Sequence, residues 1–89
     1  MNDAPNCFWT YILEDQEGRF YIGHTDNLDR RVAEHNTPEK IGTKYTHKNG
    51  PWRLVWQEEH ETRSEAMRRE RFIKSRKSSA WIRKYLLNR

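Results

Sequence analysis

Two β-forming runs, Phe8-Trp9-Thr10-Tyr11-Ile12-Leu13 and Arg19-Phe20-Tyr21-Ile22-Gly23, stand on either side of the polar link Glu14-Asp15-Gln16-Glu17-Gly18. Aromatic and β-branched residues suit a pleated, half-buried surface, and a short polar link ending in glycine lets the chain reverse. The two runs predict an antiparallel hairpin, and the rest of the chain must pack on it. With 89 residues, of which 34% are hydrophobic and 34% charged, one domain over 1–89 with a small core is expected. Four Trp, four Tyr and three Phe supply that core, which argues against disorder.

Beyond the hairpin, Thr25 or Asp26 reads as a helix N-cap. The helix should run to about Asn36, with Leu28, Arg31, Val32 and His35 on one stripe and Pro38 beyond its end. A short helical turn near Gly42–His47 is an option, and Asn49-Gly50-Pro51 signals a turn. Trp52–Glu59 reads as a third strand, Trp52, Leu54 and Trp56 alternating against Arg53, Val55 and Gln57. Thr62-Arg63-Ser64-Glu65 matches a capping box that opens a helix to about Arg76. Ser78-Ser79 starts a last helix that docks through Trp81, Tyr85 and Leu86. The order β-β-α-β-α-α describes an α+β fold with a small three-stranded, mainly antiparallel sheet flanked by helices.

The longest apolar-leaning run, Phe8–Leu13, is far short of the roughly 20 residues of a spanning helix. Met1–Asn6 lacks a basic n-region, so no secretory signal is expected. Cys7 is the only cysteine; it excludes an internal disulfide, suits the cytoplasm and reads as a small buried residue. His24, His35, His47 and His60 show no zinc spacing, so zinc is not expected.

Charge is unevenly spread. Residues 1–60 hold 7 Lys/Arg against 10 Asp/Glu, whereas residues 61–89 hold 10 against 3. The basic end is either a solvated helix face or a surface for a phosphate backbone. It lacks the broad apolar face of a membrane-surface helix.

A few residues break the pattern. Glu70 shares an inward stripe with Ala66 and Ile73, where a carboxylate must pair with an arginine or bind a cation. Arg31 lies on the stripe of Leu28 and Val32, and it either snorkels or serves as a phosphate fork. Tyr11 and Tyr21 sit on the paired strands, ten residues apart across the hairpin, as cross-strand packing or as phenols that share a hydrogen bond. Gly23 allows either a bulge or a close backbone approach. His24 and His35 fall in the same region, with proton transfer or phosphate contact as their functional reading.

Taken in order, these segments resemble the GIY-YIG nuclease superfamily. Trp9-Thr10-Tyr11 keeps only the tyrosine of the first triplet, whereas Tyr21-Ile22-Gly23 is literal. The stretch from Gly23 to Val32 is similar to the segment with the family's arginine. Ser64-Glu65-Ala66 through Glu70 to Ile73-Lys74 is similar to the helix with its glutamate. Asn36, Lys44-Tyr45-Thr46 and Leu54-Val55 resemble the small stand-alone bacterial branch, itself similar to the N-terminal nuclease domain of the excision-repair endonuclease. The motif-bearing core is about 8–77, followed by a basic helix at about 78–88.

The resemblance implies a metal-dependent endonuclease that cleaves DNA to a 5′-phosphate and a 3′-hydroxyl, in repair, recombination or processing of structured DNA. It implies catalytic roles for Tyr11, Tyr21, Arg31 and Glu70, with His35 as a further candidate and Tyr21 as general base. Glu70 would be the ligand for Mg²⁺ or Mn²⁺. His24, Asn27, Arg68, Arg69, Arg71, Lys74 and Lys77 are the candidate nucleic-acid contacts, joined by Arg76, Arg83 and Lys84. DNA is the expected partner, RNA a possible one, and a protein partner would supply specificity. The competing readings are a non-catalytic nucleic-acid-binding module, or an interaction domain that recruits a nuclease through exposed Trp52, Trp56 or Trp81.

Overall fold

The computed structural model describes residues 7–36 and 51–89. The expectations at Pro38, Gly42–His47, Lys44-Tyr45-Thr46 and Asn49-Gly50 lie outside those residues. Strands β1 (Phe8–Glu14) and β2 (Phe20–Thr25) lead into helix α1 (Leu28–Asn36). Strand β3 (Arg53–His60) and helices α2 (Arg63–Ser75) and α3 (Ser79–Tyr85) follow. Among the described residues the sheet has three antiparallel strands in the order β2-β1-β3. This is the β-β-α-β-α-α arrangement that the sequence pattern predicts.

The central strand explains the layering. Every residue from Thr10 to Asp15 is buried, so β1 is covered on both faces. Tyr11, Leu13 and Trp52 form one cluster, packed against Tyr21, Leu54 and the Leu28 and Val32 stripe of α1. Ile12, Ile73 and Ile82 form the other, with Phe20, Ile22, Val55, Trp56, Trp81, Leu86 and Leu87 around them. The alternation of β1 thus sends its odd and even residues to two different helix layers. Thr10 is fully buried and donates from Oγ1 to the Ala66 carbonyl at 2.8 Å, which ties β1 to α2.

Side chains build the connections. Asp15 Oδ1 accepts from the backbone N–H groups of Glu17 and Arg19, each at 2.9 Å, and Gly18 turns the chain at φ 81°. Beside it, Glu14 is held by Arg53 at 3.1 Å and by both terminal nitrogens of Arg89 at 3.0 Å. The Arg89 bonds keep the Glu14 carboxyl below its ordinary value. Asn36 donates to the Trp52 carbonyl at 2.7 Å and accepts from its N–H at 2.6 Å, so one amide joins the end of α1 to the start of β3.

Some boundaries differ from the sequence reading. The cap of α1 is Asn27, whose Oδ1 accepts from the Arg30 N–H at 3.0 Å. Thr25 is used one step earlier, accepting from the Asn27 N–H at 3.1 Å. The Thr62 hydroxyl caps α2 as expected, but Glu65 bonds the N–H of Glu61 at 3.2 Å in place of that of Thr62. In β3 the alternation breaks: Leu54 pairs with Leu13 and Trp56 with Ile12, which leaves Val55 as a bulge. Trp52 and Leu54 therefore face the α1 layer while Trp56 faces α2 and α3. In α3 the docking residue is Ile82, 4% exposed, and Tyr85 is 60% exposed. Cys7 is only half-buried and donates its Sγ proton to Glu59 at 2.7 Å. No helix among the described residues is long and apolar enough to cross a membrane.

Ile73 anchors α2 at the centre of its cluster and is 1% exposed. Ile73→Ala should lower unfolding free energy by about 2–5 kcal/mol, read from denaturant titration with the slope unchanged.

Candidate active site

The hairpin register sets Tyr11 opposite Gly23 and Tyr21 opposite Leu13. The two phenols are diagonal neighbours, their ring centroids 6.4 Å apart. They do not share the hydrogen bond suggested by the sequence: the partner of Tyr11 Oη is His35 Nε2, at 3.1 Å. Gly23 answers its own question. A Cβ there would lie 2.6 Å from Tyr11 Oη and 2.8 Å from Cζ, so the glycine is a space for the phenol.

Helix α1 delivers Arg31 and His35 to that phenol, four residues and so about one turn apart. The Arg31 guanidinium bonds Glu34 at 2.9 Å, and its charge pulls the Tyr11 phenol down against the larger effect of burial. Burial, followed by the Arg31 charge, lowers His35 from 6.5 to about 4. Burial likewise pushes Tyr11 up to about 12, against that pull from Arg31. At neutral pH the Tyr11–His35 pair is uncharged and Arg31 carries the charge.

Tyr21 packs its ring 4.8 Å from His35 and 6.3 Å from the buried Trp52. It is only partly buried, unlike Tyr11 at 1% exposure.

Glu70 heads a second cluster on α2. Its carboxylate accepts from His24 Nδ1 at 2.6 Å through one oxygen and from Lys74 Nζ at 2.6 Å through the other. The side chain is 17% exposed, and its charge acts on Tyr11. The inward carboxylate therefore has an ion pair, but with the lysine one turn on and not with an arginine.

A sequence profile described as the GIY-YIG catalytic domain matches residues 7–85. The chain belongs to the GIY-YIG family. The UPF0213 protein of Halobacterium salinarum is 45% identical over 64 residues, covering 72% of this chain and 80% of its own length. That of Staphylococcus haemolyticus is 42% identical over 67 residues, covering 75% and 79%. A solution NMR structure of the UPF0213 protein from Bacillus halodurans is 39% identical, with TM-score 0.47, covering 78% of this chain and 71% of that one.

The GIY-YIG signature thus becomes geometry here. The tyrosine of the first triplet fills the gap left by the glycine of the second. Thr10, at the middle of the first, is spent on the Ala66 carbonyl. The other candidate residues divide. Asn27 is committed to capping α1. Arg69 is held by Glu58 at 3.0 Å, and Lys74 by Glu70. Arg68, Arg71 and Lys77 are exposed, and Lys77 takes φ 50° between α2 and α3. A shallow hollow beside Glu70 is lined by His24, Met67, Arg71 and Lys74; Arg68 lines a neighbouring hollow with Met67 and Arg71, and Arg69 lies on the Phe72 side of α2. The sequence reading missed Glu34 and Trp52 as parts of the site. The signal for Glu34 was its i+3 spacing from Arg31; for Trp52 there was none, because its place depends on β3 pairing.

Gly23→Ala should lower thermal stability by about 1–3 kcal/mol through overpacking. In a double-mutant cycle the cost should shrink when Tyr11 is also cut to Ala; additive costs would show that the two do not meet. His35 gives a second expectation. Its folded value lies below 6.5, so the unfolded chain binds the extra proton between pH 6.5 and 4. Stability from this group is complete above pH 6.5 and falls with pH by up to about 1.4 kcal/mol per unit through that window. Denaturation curves against pH should show this slope, and His35→Gln should flatten it.

Proposed function

We propose that this chain is a divalent-metal-dependent endonuclease that hydrolyses phosphodiester bonds in DNA, with Tyr11, Tyr21, Arg31 and Glu70 as its active-site residues. The observation that carries the reading is the meeting of the two motif tyrosines, 6.4 Å apart at their ring centroids with Tyr11 hydrogen-bonded to His35, in a member of the GIY-YIG family.

Phosphodiester hydrolysis needs a base for the attacking water and positive charge around the phosphate as negative charge builds. Arg31 offers the charge, and Glu34 fixes its direction. Tyr21 is the base: in its phenolate form it takes the proton of the attacking water as the P–O3′ bond breaks, leaving a 5′-phosphate and a 3′-oxyanion that takes a proton from solvent water to become the 3′-hydroxyl. Tyr11, pushed up to about 12, stays protonated and holds the His35 ring through its hydroxyl. It is thus a positioning residue.

The donor set at Glu70 fits a single hard cation. No group of three His, Cys, Asp or Glu converges among the described residues, so an ion there would keep a largely aqueous shell, as Mg²⁺ does. The Lys74 ammonium at 2.6 Å shows that the carboxylate accommodates a neighbouring positive charge. Glu70 would hold Mg²⁺ or Mn²⁺, which would supply Lewis-acid stabilisation of the phosphate. Arg71, Arg68 and Lys77 would contact the phosphate backbone, which positions the duplex without reading its sequence. The setting would be repair, recombination or structured-DNA processing inside the cytoplasm.

The test is nicking of labelled duplex, single-stranded and branched DNA with Mg²⁺ or Mn²⁺. Wild type should cut only with metal. Glu70→Ala, Arg31→Ala and Tyr21→Phe should each lose about 100-fold or more in rate while retaining DNA binding. Intact binding without cleavage of any substrate would leave the non-catalytic binding module as the function.

A further inference from the structure

Helix α2 has a second functional-looking side, turned away from Glu70. Phe72 follows Glu70 by two residues, which at about 100° per residue places the two on opposing sides of the helix. Phe72 is 43% exposed, and Tyr85 on α3 is 60% exposed. They are joined by Trp81, whose ring lies 5.9 Å from Phe72, nearly perpendicular, and 5.5 Å from Tyr85. Cations line the same stripe. Arg76 stands 5.3 Å over Phe72, and Lys84 stands 5.4 Å over Tyr85. Arg69 bridges Trp56 and Phe72 at 5.7 and 5.5 Å.

The charge of this stripe is one-sided. Between Arg71 and Arg89 the chain has seven Lys/Arg and no Asp or Glu. Among the described residues no carboxylate pairs with Arg76 or Lys84. Acidic groups reach only the β3 end, where Glu58 pairs with Arg69 and Glu65 borders the hollow beside Phe72. Exposed rings interleaved with unpaired cations do not suit an apolar protein partner, because docking would strand the charges. They also lack the broad apolar face that a membrane needs. They match the two faces of a nucleotide: the ring stacks with the base and the cation meets its phosphate.

We infer that the Phe72–Trp81–Tyr85 stripe, with Arg76 and Lys84, binds unpaired single-stranded nucleic acid at a site separate from the cleavage centre. The inference rests on the proposed nuclease reading only in taking nucleic acid as the substrate. Paired bases hide their faces, so a duplex can use the cations of this stripe but not its rings. A substrate with a flap, gap or fork offers both a strand for the Glu70 side and unpaired bases for the far side of α2. The stripe thus selects DNA with a single-stranded arm.

Fluorescence anisotropy with a labelled oligothymidylate, a blunt duplex of equal length and inorganic polyphosphate as competitor tests this. Cleavage of plain and forked duplexes is measured alongside. Oligothymidylate should bind more tightly than the duplex and quench tryptophan emission, since Trp81 lies inside the stripe. Tyr85→Ala and Phe72→Ala, checked for folding by circular dichroism, should each weaken that binding by roughly 5- to 150-fold. Arg76→Ala and Lys84→Ala should each reduce the slope of log affinity against log salt by about 0.7. Glu70→Ala should leave oligothymidylate binding unchanged. Tyr85→Ala should leave nicking of plain duplex unchanged and slow that of the fork.

Equal affinity for oligothymidylate and duplex overturns the proposal. So does indifference to Tyr85→Ala, or displacement by polyphosphate as effective as by oligothymidylate. Glu70-dependent cleavage with no effect at the stripe sinks this inference and leaves the nuclease standing. Stripe-dependent binding with no cleavage by wild type does the reverse. Capture of an acidic protein without affinity for single strands also overturns it.

Discussion

The rest of the site depends on the meeting of the Tyr11 phenol with the backbone of Gly23. Any other residue there would put its first side-chain carbon 2.6 Å from the hydroxyl. That contact fixes the ring on the inner side of the edge strand, in reach of α1. Once the ring is there, the phenol oxygen needs partners, because a buried hydroxyl left without them is costly. His35 provides one at 3.1 Å, and Glu34 holds the Arg31 guanidinium one turn earlier on the same helix. The seat of the phenol, and with it the contact between β1 and His35 of α1, thus depends on one missing side chain.

This accounts for two tyrosines in one motif with unlike environments. One is sealed in the core, with its ionisation pushed to about 12, and is suited to holding its neighbours. The other sits nearer solvent, packed against His35 and Trp52. The difference comes from burial, since the side chains are chemically identical. Glu70 differs again. Its carboxylate is satisfied from both sides by groups that carry or can carry positive charge, so the helix tolerates an acid between Ala66 and Ile73.

What the sequence disclosed was mostly local. The hairpin, the α1 stripe and the Thr62 cap could be read because each depends on residues within a turn or two of one another. Glu70 and Arg31 stood out because they violated a stripe that was itself local. The failures share the opposite property. Asn27 caps α1 because Thr25 is already used, a competition that a list of capping residues does not reveal. Ile82 replaced Tyr85 as the anchor of α3 because the packing of that helix on Ile12 and Ile73 decides its rotation. The partners of Glu70 and Tyr11 come from other elements, and no spacing rule names them.

The bulge at Val55 carries a consequence for how this strand can change over evolutionary time. The residues before it and after it obey opposite parities, so β3 is two half-strands joined out of phase. Removing Val55 would restore a regular ladder with Trp52 and Leu54 still facing α1 and Trp56 still facing α2 and α3, so a change of length is buffered at that position.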